Sequence, residues 1–147
     1  MILDTPEASL AFGAALAERA RPGDLIALIG PLGAGKTSIA RGLLAALGLE
    51  EEAPSPSFAI VQPYAPPDVA FPVLHIDLYR IEDASELDEL GLDDAREESL
   101  LIVEWPELSG VDRWPEALVL TLAVQCDGAR GLTAQVPASW KDRWPLT

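Results

Sequence analysis

The sequence contains no asparagine, one cysteine and one histidine among its 147 residues. A single thiol, Cys126, cannot form an internal disulfide bond or a cysteine-rich zinc site. The longest apolar stretches are much shorter than the roughly 20 residues that a membrane-spanning helix needs. The first residues also lack the basic start and apolar stretch of a signal peptide. We therefore expect a cytoplasmic protein with no membrane contact.

Basic residues are also scarce. Ten Lys and Arg stand against 24 Asp and Glu, which gives a net charge of −14. Because affinity for nucleic-acid phosphates comes largely from Lys and Arg, this balance argues against a protein that holds nucleic acid by itself. Apolar residues make up 49% of the chain and charged residues 23%, fractions that argue against intrinsic disorder. The length suits one domain over residues 1–147.

The first half of the chain predicts a helix, a buried strand and a second helix. Thr5 suits the N-cap of the first helix. The uninterrupted apolar run 25–29 is typical of a strand covered on both faces. The second helix is expected from about residue 36 to residue 47, and Gly48 is placed to end it. The apolar face of the first helix is assigned to Leu10, Ala14 and Leu16.

The second half predicts further strands and an acidic helix. Residues 82–98 hold nine acids and one base, and they are expected to form a short helix plus a loop. This acidic stretch is either a solvated face or a docking surface for a basic partner. Further strands are expected near residues 58–62 and at residues 73–79, 100–103, 118–124 and 132–136. The last two strands flank a glycine turn and predict a C-terminal antiparallel hairpin.

A glycine-rich motif joins the first predicted strand to the second helix. Residues 30–37 read GPLGAGKT and match the phosphate-binding loop G-x4-G-K-[ST]. Lys36 can reach the β- and γ-phosphates of a nucleotide, and the Thr37 hydroxyl can bind Mg²⁺. The motif in this setting predicts an α/β, three-layer, P-loop NTPase-like fold with a mixed, mainly parallel sheet. The predicted phosphate-binding residues are Gly30, Leu32, Gly33, Ala34, Gly35, Lys36, Thr37 and Ser38.

Two acidic residues at strand ends compete for the role of magnesium ligand. Glu104 ends an uninterrupted apolar run, whereas the strand before Asp77 is interrupted by His75, which we expect to be structural. We take that interruption to leave one face of the strand polar, unlike a central strand that is covered on both faces. The sequence therefore favours Glu104 for the metal. Asp77 is then expected to position or deprotonate the attacking water, and the reverse assignment stays open.

Five short motifs follow one another along the chain: GAGKT (33–37), SPSF (55–58), HIDLYR (75–80), ELGL (89–92) and VEWPE (103–107). Their order and spacing resemble the bacterial TsaE family, the YjeE proteins, over residues 5 to about 136. The resemblance implies an ATPase, weak alone, that serves the formation of N6-threonylcarbamoyladenosine beside the anticodon of tRNAs reading ANN codons. It also implies ATP and Mg²⁺ as cofactors and the TsaB and TsaD proteins as partners, with tRNA contacted only through their complex.

The resemblance carries roles over to individual residues. By it, Thr37 and Glu104 hold Mg²⁺, Asp77 takes part in hydrolysis, and Trp105 lies beside the nucleotide. Weaker matches place Thr5, Gly128 and Arg130 in regions that flank the adenine. The residues expected to take part in catalysis are Asp77, Lys36 and Glu104.

The chain departs from the family pattern at two positions. Pro31 stands where the family usually has Asp, and Ser57 stands where it usually has Thr. Serine keeps the hydroxyl, so we expect the SPSF motif to keep its role. Proline removes one N–H from an outer position of the loop, which changes the contacts that the loop can offer to phosphate.

Three other functions share a phosphate-binding loop. A GTPase resembles this chain less well, because its N-K-x-D guanine contact needs an asparagine that the sequence lacks. A small-molecule kinase uses a lid of clustered arginines, whereas the arginines of this chain are scattered along the sequence. A binding module that senses nucleotide without turnover has the same loop, and partner-dependent ATP hydrolysis would separate it from an ATPase.

Overall fold

A mixed sheet of seven strands organises the part of the chain that the computed structural model describes, residues 2–31, 34–50, 61–79, 91–106, 116–125 and 128–144. The strands are β1 (Ile2–Leu3), β2 (Leu25–Ile29), β3 (Val61–Tyr64), β4 (Val73–Asp77), β5 (Leu100–Glu104), β6 (Leu118–Val124) and β7 (Arg130–Gln135). They lie in the order β1-β7-β6-β2-β5-β4-β3. The central strands β6, β2, β5 and β4 are parallel, and the strands outside them pair antiparallel. The predicted mixed sheet with a parallel centre and a C-terminal hairpin is confirmed.

Helices lie on both faces of this sheet. Helices α1 (Pro6–Arg19) and α2 (Lys36–Ala46) cover one face, and the short helix α3 (Leu92–Arg96) packs on the other. Alternate residues of β5 face opposite sides of the sheet. Leu100 packs in the apolar cluster of α1 and α2, whereas Leu101 packs in the cluster that contains Leu92 of α3. The described residues thus form three layers. None of the described helices is long and apolar enough to cross a membrane.

The buried side of α1 differs from the predicted one. Thr5 caps the helix as expected, because its Oγ1 accepts the N–H of Ala8 at 3.1 Å. Leu10, however, is 42% exposed, so its assignment to the apolar face is wrong. The stripe that is buried follows the i, i+3, i+4, i+7 spacing of a helix face. It consists of Ser9, Phe12, Gly13 and Leu16.

The contact between α1 and α2 explains this stripe. A Cβ built on Gly42 would lie 2.1 Å from the backbone oxygen of Leu10, and one on Gly13 would lie 2.0 Å from that of Ile39. The two helices therefore approach each other backbone to backbone through glycine. This approach decides the orientation of α1, and the position of Leu10 follows from it.

Two strand boundaries also differ from the expected ones. β3 spans Val61–Tyr64 and not residues 58–62, of which 58–60 lie outside the described residues. Its Pro63 lacks an N–H, and an edge strand tolerates that loss. β4 ends at Asp77 and not at residue 79, because the N–H of Tyr79 turns back to Oδ1 of Asp77 at 2.9 Å.

Some predictions fall on the chain outside the described residues. This holds for residues 82–90 of the acidic helix, for Cys126 and for the SPSF motif. The predicted C-terminal strand appears as β7, which begins at Arg130 and ends one residue earlier than expected. β1 was not predicted, because two residues are too few to show an alternating pattern.

A C-terminal segment packs on the α1 face and was not predicted either. A 3₁₀ turn at Ala138–Trp140 buries the indole of Trp140 in the core. Arg143 then forms a bidentate pair with Asp24, with Nη1–Oδ2 and Nη2–Oδ1 distances of 2.6 and 2.9 Å. Its Nη1 also donates to the backbone oxygen of Arg19 at 2.7 Å. This network fastens the segment to the start of β2.

Candidate functional site

The glycine-rich loop lies between the C-terminal end of β2 and the first turn of α2. Gly35 has a φ of +102°, a conformation that glycine adopts without steric cost, and α2 begins at the next residue. Among the described residues, no side chain caps this end of α2 and no acid lies in its first turn. Its N–H groups and positive dipole end therefore face the loop and suit an anion. Leu32 and Gly33 lie outside the described residues.

Lys36 is buried at the mouth of this loop. Its Nζ donates to the backbone oxygen of Gly30 at 2.5 Å and lies 3.3 Å from the ring centroid of Trp105. Trp105 has a φ of +62°, which is uncommon for a residue with a side chain. Residues held in such a backbone conformation cluster at functional sites. Its ring contacts Tyr79, with centroids 5.0 Å apart. The loop lysine is thus held by a cation–π contact with the residue that follows Glu104.

Glu104 meets α2 and β4 at the C-terminal edge of the sheet. Thr37 Oγ1 lies 3.1 Å from its Oε1 and 3.3 Å from its Oε2. His75 Nε2 lies 2.6 Å from Oε2. The Glu104 carboxylate is buried between these two partners. Helix α2 and strand β4 thus restrain its position from two sides.

His75 and Asp77 do lie on one face of β4, but the expectation that this face, unlike that of a central strand, is not covered is wrong. β4 lies inside the sheet, between β5 and β3, and the imidazole is fully buried. The strand tolerates the polar residue because the carboxylate of Glu104 bonds to its Nε2. The apolar pattern alone could not reveal this partner, which lies on the neighbouring strand.

Asp77 lies beside Glu104. The register of β4 and β5 makes the two residues Cα partners, and Asp77 is also buried. Both acids lie at the edge that follows the parallel strands, which is where α/β sheets bind ligands. The structure therefore brings together the loop, the two acids and the tryptophan that the sequence singled out.

A cleft of about 130 Å³ opens beside the loop. Arg130 at its rim donates from Nε to the backbone oxygen of Ala34 at 3.0 Å. The cleft joins the start of α1, the first turn of α2 and the β6–β7 turn. Its lining includes Thr5, Ser9, Gly35, Ser38, Gly128 and Arg130. The three residues that the resemblance placed near adenine are thus next to the phosphate-binding loop.

Ser9 and Asp4 also line this cleft, and sequence reasoning missed both. Ser9 carried no signal in the sequence, because its burial follows from the contact between α1 and α2. Asp4 precedes the cap residue and carried no signal either.

The donor atoms near Thr37 suit a magnesium ion. Mg²⁺ prefers oxygen ligands and is usually held in nucleotide sites by one or two carboxylates, with phosphates and waters completing its shell. The Thr37 hydroxyl and the Glu104 carboxylate fit that pattern. Across the described ranges there is no group of three or more His, Cys, Asp or Glu side chains that could hold a metal unaided. Thr37 and Glu104 supply two oxygen donors that fit a metal whose other ligands are phosphates and waters.

Comparison with known proteins identifies the family of this chain. The sequence model described as "Threonylcarbamoyl adenosine biosynthesis protein TsaE" matches residues 3–131. The chain belongs to the TsaE family. The resemblance expected from the five motifs is confirmed, and so is the P-loop NTPase-like fold.

Individual TsaE proteins show how far the similarity extends. The Bacillus subtilis protein named "tRNA threonylcarbamoyladenosine biosynthesis protein TsaE" is 36% identical over 129 residues, covering 87% of this chain and 79% of its own length. The Mycobacterium bovis protein of the same name is 39% identical over 108 residues, or 69% of this chain. The match covers 64% of the M. bovis protein's length. The crystal structure of Bacillus subtilis YdiB has a TM-score of 0.80 and 28% identity, covering 97% of this chain and 88% of YdiB.

Proposed function

We propose that this TsaE-family protein binds Mg·ATP at residues 30–38 and hydrolyses it to support formation of N6-threonylcarbamoyladenosine in cytoplasmic tRNA. The observation that carries the proposal is the contact between Thr37 and Glu104. A hydroxyl and a buried carboxylate lie 3.1 Å apart at the start of the helix that follows the phosphate-binding loop. Their oxygens are the ligands that Mg²⁺ prefers beside nucleotide phosphates. The names of the similar proteins support the tRNA pathway.

The residues around the loop have different roles in this proposal. The N–H groups at the start of α2 and the ammonium of Lys36 bind the phosphate oxygens. Asp77, at the same edge of the sheet, positions the attacking water or takes up its proton. Thr37 and Glu104 hold Mg²⁺, which would neutralise charge on the β- and γ-phosphates.

The cleft beside the loop is proposed to receive the nucleoside. Thr5 reaches it from the start of α1, and Gly128 and Arg130 reach it from the turn that leads into β7, next to Gly35. Ser9 and Ser38 add hydroxyl groups to its lining. Hydroxyls and one guanidinium suit the polar edges of a base and a ribose. Trp105 lies by Lys36 and is therefore proposed to lie near the terminal phosphates.

The protein is proposed to act with TsaB and TsaD, and to reach tRNA only through them. Its charge of −14 repels a polyanion, and Lys36 is committed to the nucleotide. Labelled tRNA should show no change in fluorescence anisotropy with the isolated protein at physiological salt. Micromolar binding would contradict this part of the proposal. Charge reversal at Glu86, Asp88 and Glu89 tests whether the acidic stretch docks on the partners.

The central experiment measures nucleotide binding and turnover in the same preparation. Calorimetry with Mg·ATP should show binding, and phosphate release should rise when TsaB and TsaD are added together. The matched control is Asp77→Asn, which should keep ATP binding and lose the stimulated release. Transfer of phosphate to a small acceptor would indicate a kinase. Binding without stimulated turnover would indicate a nucleotide-sensing module, and absence of binding would refute the proposal.

A further inference from the structure

We propose that His75 is a positioning residue that orients Glu104 toward the magnesium side of the site. This inference rests on the proposed function. His75 Nε2 lies 2.6 Å from Glu104 Oε2, and the imidazole is fully buried. His75 is also the only histidine of the chain. Its role follows from the chemistry of the two ring nitrogens and from the second partner of the carboxylate.

The surroundings of the ring decide which nitrogen carries the proton. An ionised carboxylate only accepts hydrogen bonds, so Nε2 must be the donor toward Glu104. Nδ1 is buried and has no hydrogen-bond partner in the described part of the chain. Nothing there receives a proton from Nδ1, so the arrangement favours the tautomer with hydrogen on Nε2 alone. His75 then supplies an N–H to Glu104.

This bond leaves one carboxylate oxygen for the site. Oε2 of Glu104 is engaged by His75, whereas Oε1 is the oxygen closer to Thr37, at 3.1 Å. Two fixed partners restrain rotation of the carboxylate, so that Oε1 stays on the side of the Thr37 hydroxyl. Hydrogen bonds of this kind orient the ligands of many metal sites.

Strand β4 thereby provides two functions on one face. His75 and Asp77 are two residues apart, and side chains at that spacing in a strand face the same side. The register of β4 with β5 puts Asp77 opposite Glu104 and His75 opposite Ile102. The same strand thus supports the proposed metal ligand through one residue and places the proposed water-positioning acid through another.

Two substitutions of matched chemistry test the role of His75. In His75→Gln the amide N–H extends about as far as Nε2, whereas in His75→Asn it is one methylene shorter and cannot reach Glu104. ATP affinity is measured by calorimetry at several Mg²⁺ concentrations and in EDTA. His75→Asn should weaken the apparent Mg²⁺ affinity by about tenfold or more, and His75→Gln should recover most of it. Metal-free ATP affinity should stay within about twofold of wild type in both variants, because neither touches the loop.

The outcomes separate this inference from the proposed function. If wild-type protein shows no Mg²⁺-dependent ATP affinity, the proposed function is wrong. If wild type shows it and His75→Asn keeps the same Mg²⁺ dependence, only the role of His75 is wrong. Equal losses with Mg²⁺ and in EDTA, with no recovery in His75→Gln, would indicate a purely structural residue and would also overturn the inference.

A measurement on the unmodified protein does not depend on the folding of any variant. With one histidine in the chain, a long-range ¹H–¹⁵N spectrum of the nucleotide-free protein contains a single imidazole. The expected pattern is a protonated Nε2 and a bare Nδ1. In Glu104→Gln the ring signals should shift, because the acceptor changes from a carboxylate to an amide. A proton on Nδ1 alone would overturn the inference.

Discussion

Thr37 Oγ1 lies 3.1 Å from Oε1 and 3.3 Å from Oε2 of Glu104, although 67 residues separate the two in the sequence. The contact joins the first turn of α2 to the end of β5. It distinguishes Glu104 from Asp77, the other buried acid at this edge of the sheet. The carboxylate of Asp77 accepts the backbone N–H of Tyr79 at 2.9 Å.

Glu104→Gln should therefore weaken the Mg²⁺ dependence of ATP binding more than Asp77→Asn does. The amide keeps the shape of Glu104 but loses the negative charge that attracts the cation. We expect a loss on the order of 10- to 100-fold in apparent Mg²⁺ affinity, measured by ATP titration at graded Mg²⁺. Asp77→Asn should retain that affinity and lose hydrolysis, because positioning a water contributes mainly in the transition state. The reverse order would exchange the two assignments.

The contact of Lys36 with Trp105 predicts an optical signal. The ammonium lies 3.3 Å from the indole centroid, and ATP phosphates would compete with the ring for it. ATP binding should therefore change the Trp105 emission. Trp105→Phe is the control that should remove this change and leave the emission of Trp114, Trp140 and Trp144. Lys36→Ala should lower ATP affinity by about 10- to 100-fold, and unchanged affinity would mean that the loop is not the site.

Gly42→Ala should destabilise the fold. Alanine ordinarily stabilises a helix interior by about 1 kcal/mol relative to glycine. Here its Cβ would lie 2.1 Å from the backbone oxygen of Leu10, so α1 and α2 must separate. We expect a net loss of about 1–3 kcal/mol in the free energy of unfolding, measured in urea.

Gly23→Ala is the control for this substitution. At Gly23 the nearest atom to a new Cβ is 3.9 Å away, so only the positive φ of +96° opposes the change. That backbone cost is about 1–2 kcal/mol, and it comes without any movement of the two helices. Near-ultraviolet circular dichroism should change in Gly42→Ala and not in Gly23→Ala. A Gly42→Ala protein as stable as wild type would contradict the close helix contact.

Tyr64→Phe should leave stability unchanged or raise it by up to about 1 kcal/mol at neutral pH, because the Tyr64 hydroxyl is buried without a partner among the described residues. Burial raises the pKa of the Tyr64 phenol above its ordinary value of 10.0, and Arg41 opposes that shift more weakly. The unfolded chain therefore releases this proton at a lower pH than the folded protein does. Wild type should lose stability relative to Tyr64→Phe as pH rises above about 10. Urea unfolding of both proteins at about pH 8 and about pH 10.5 checks this. An equal difference in the free energy of unfolding between the two proteins at both pH values would contradict it.

The sequence alone determined the features that depend on neighbouring residues. The loop at residues 30–37 is encoded in consecutive glycines, a lysine and a threonine, and its flanking strand and helix follow from local apolar patterns. The capping role of Thr5 is equally local, because a cap bonds within its own first turn. The family, too, could be predicted from short motifs in a given order.

Only the tertiary structure decided which of these residues meet. The order of the strands places β4 beside β5, and this adjacency makes Glu104 the partner of His75 and Asp77 its neighbour. The backbone approach at Gly42 turns α1 so that Ser9 is buried and Leu10 is exposed. Such contacts join residues far apart along the chain, and their identity depends on packing that no local pattern contains. The sequence could therefore name the two acids, and the fold decided which of them contacts the Thr37 hydroxyl.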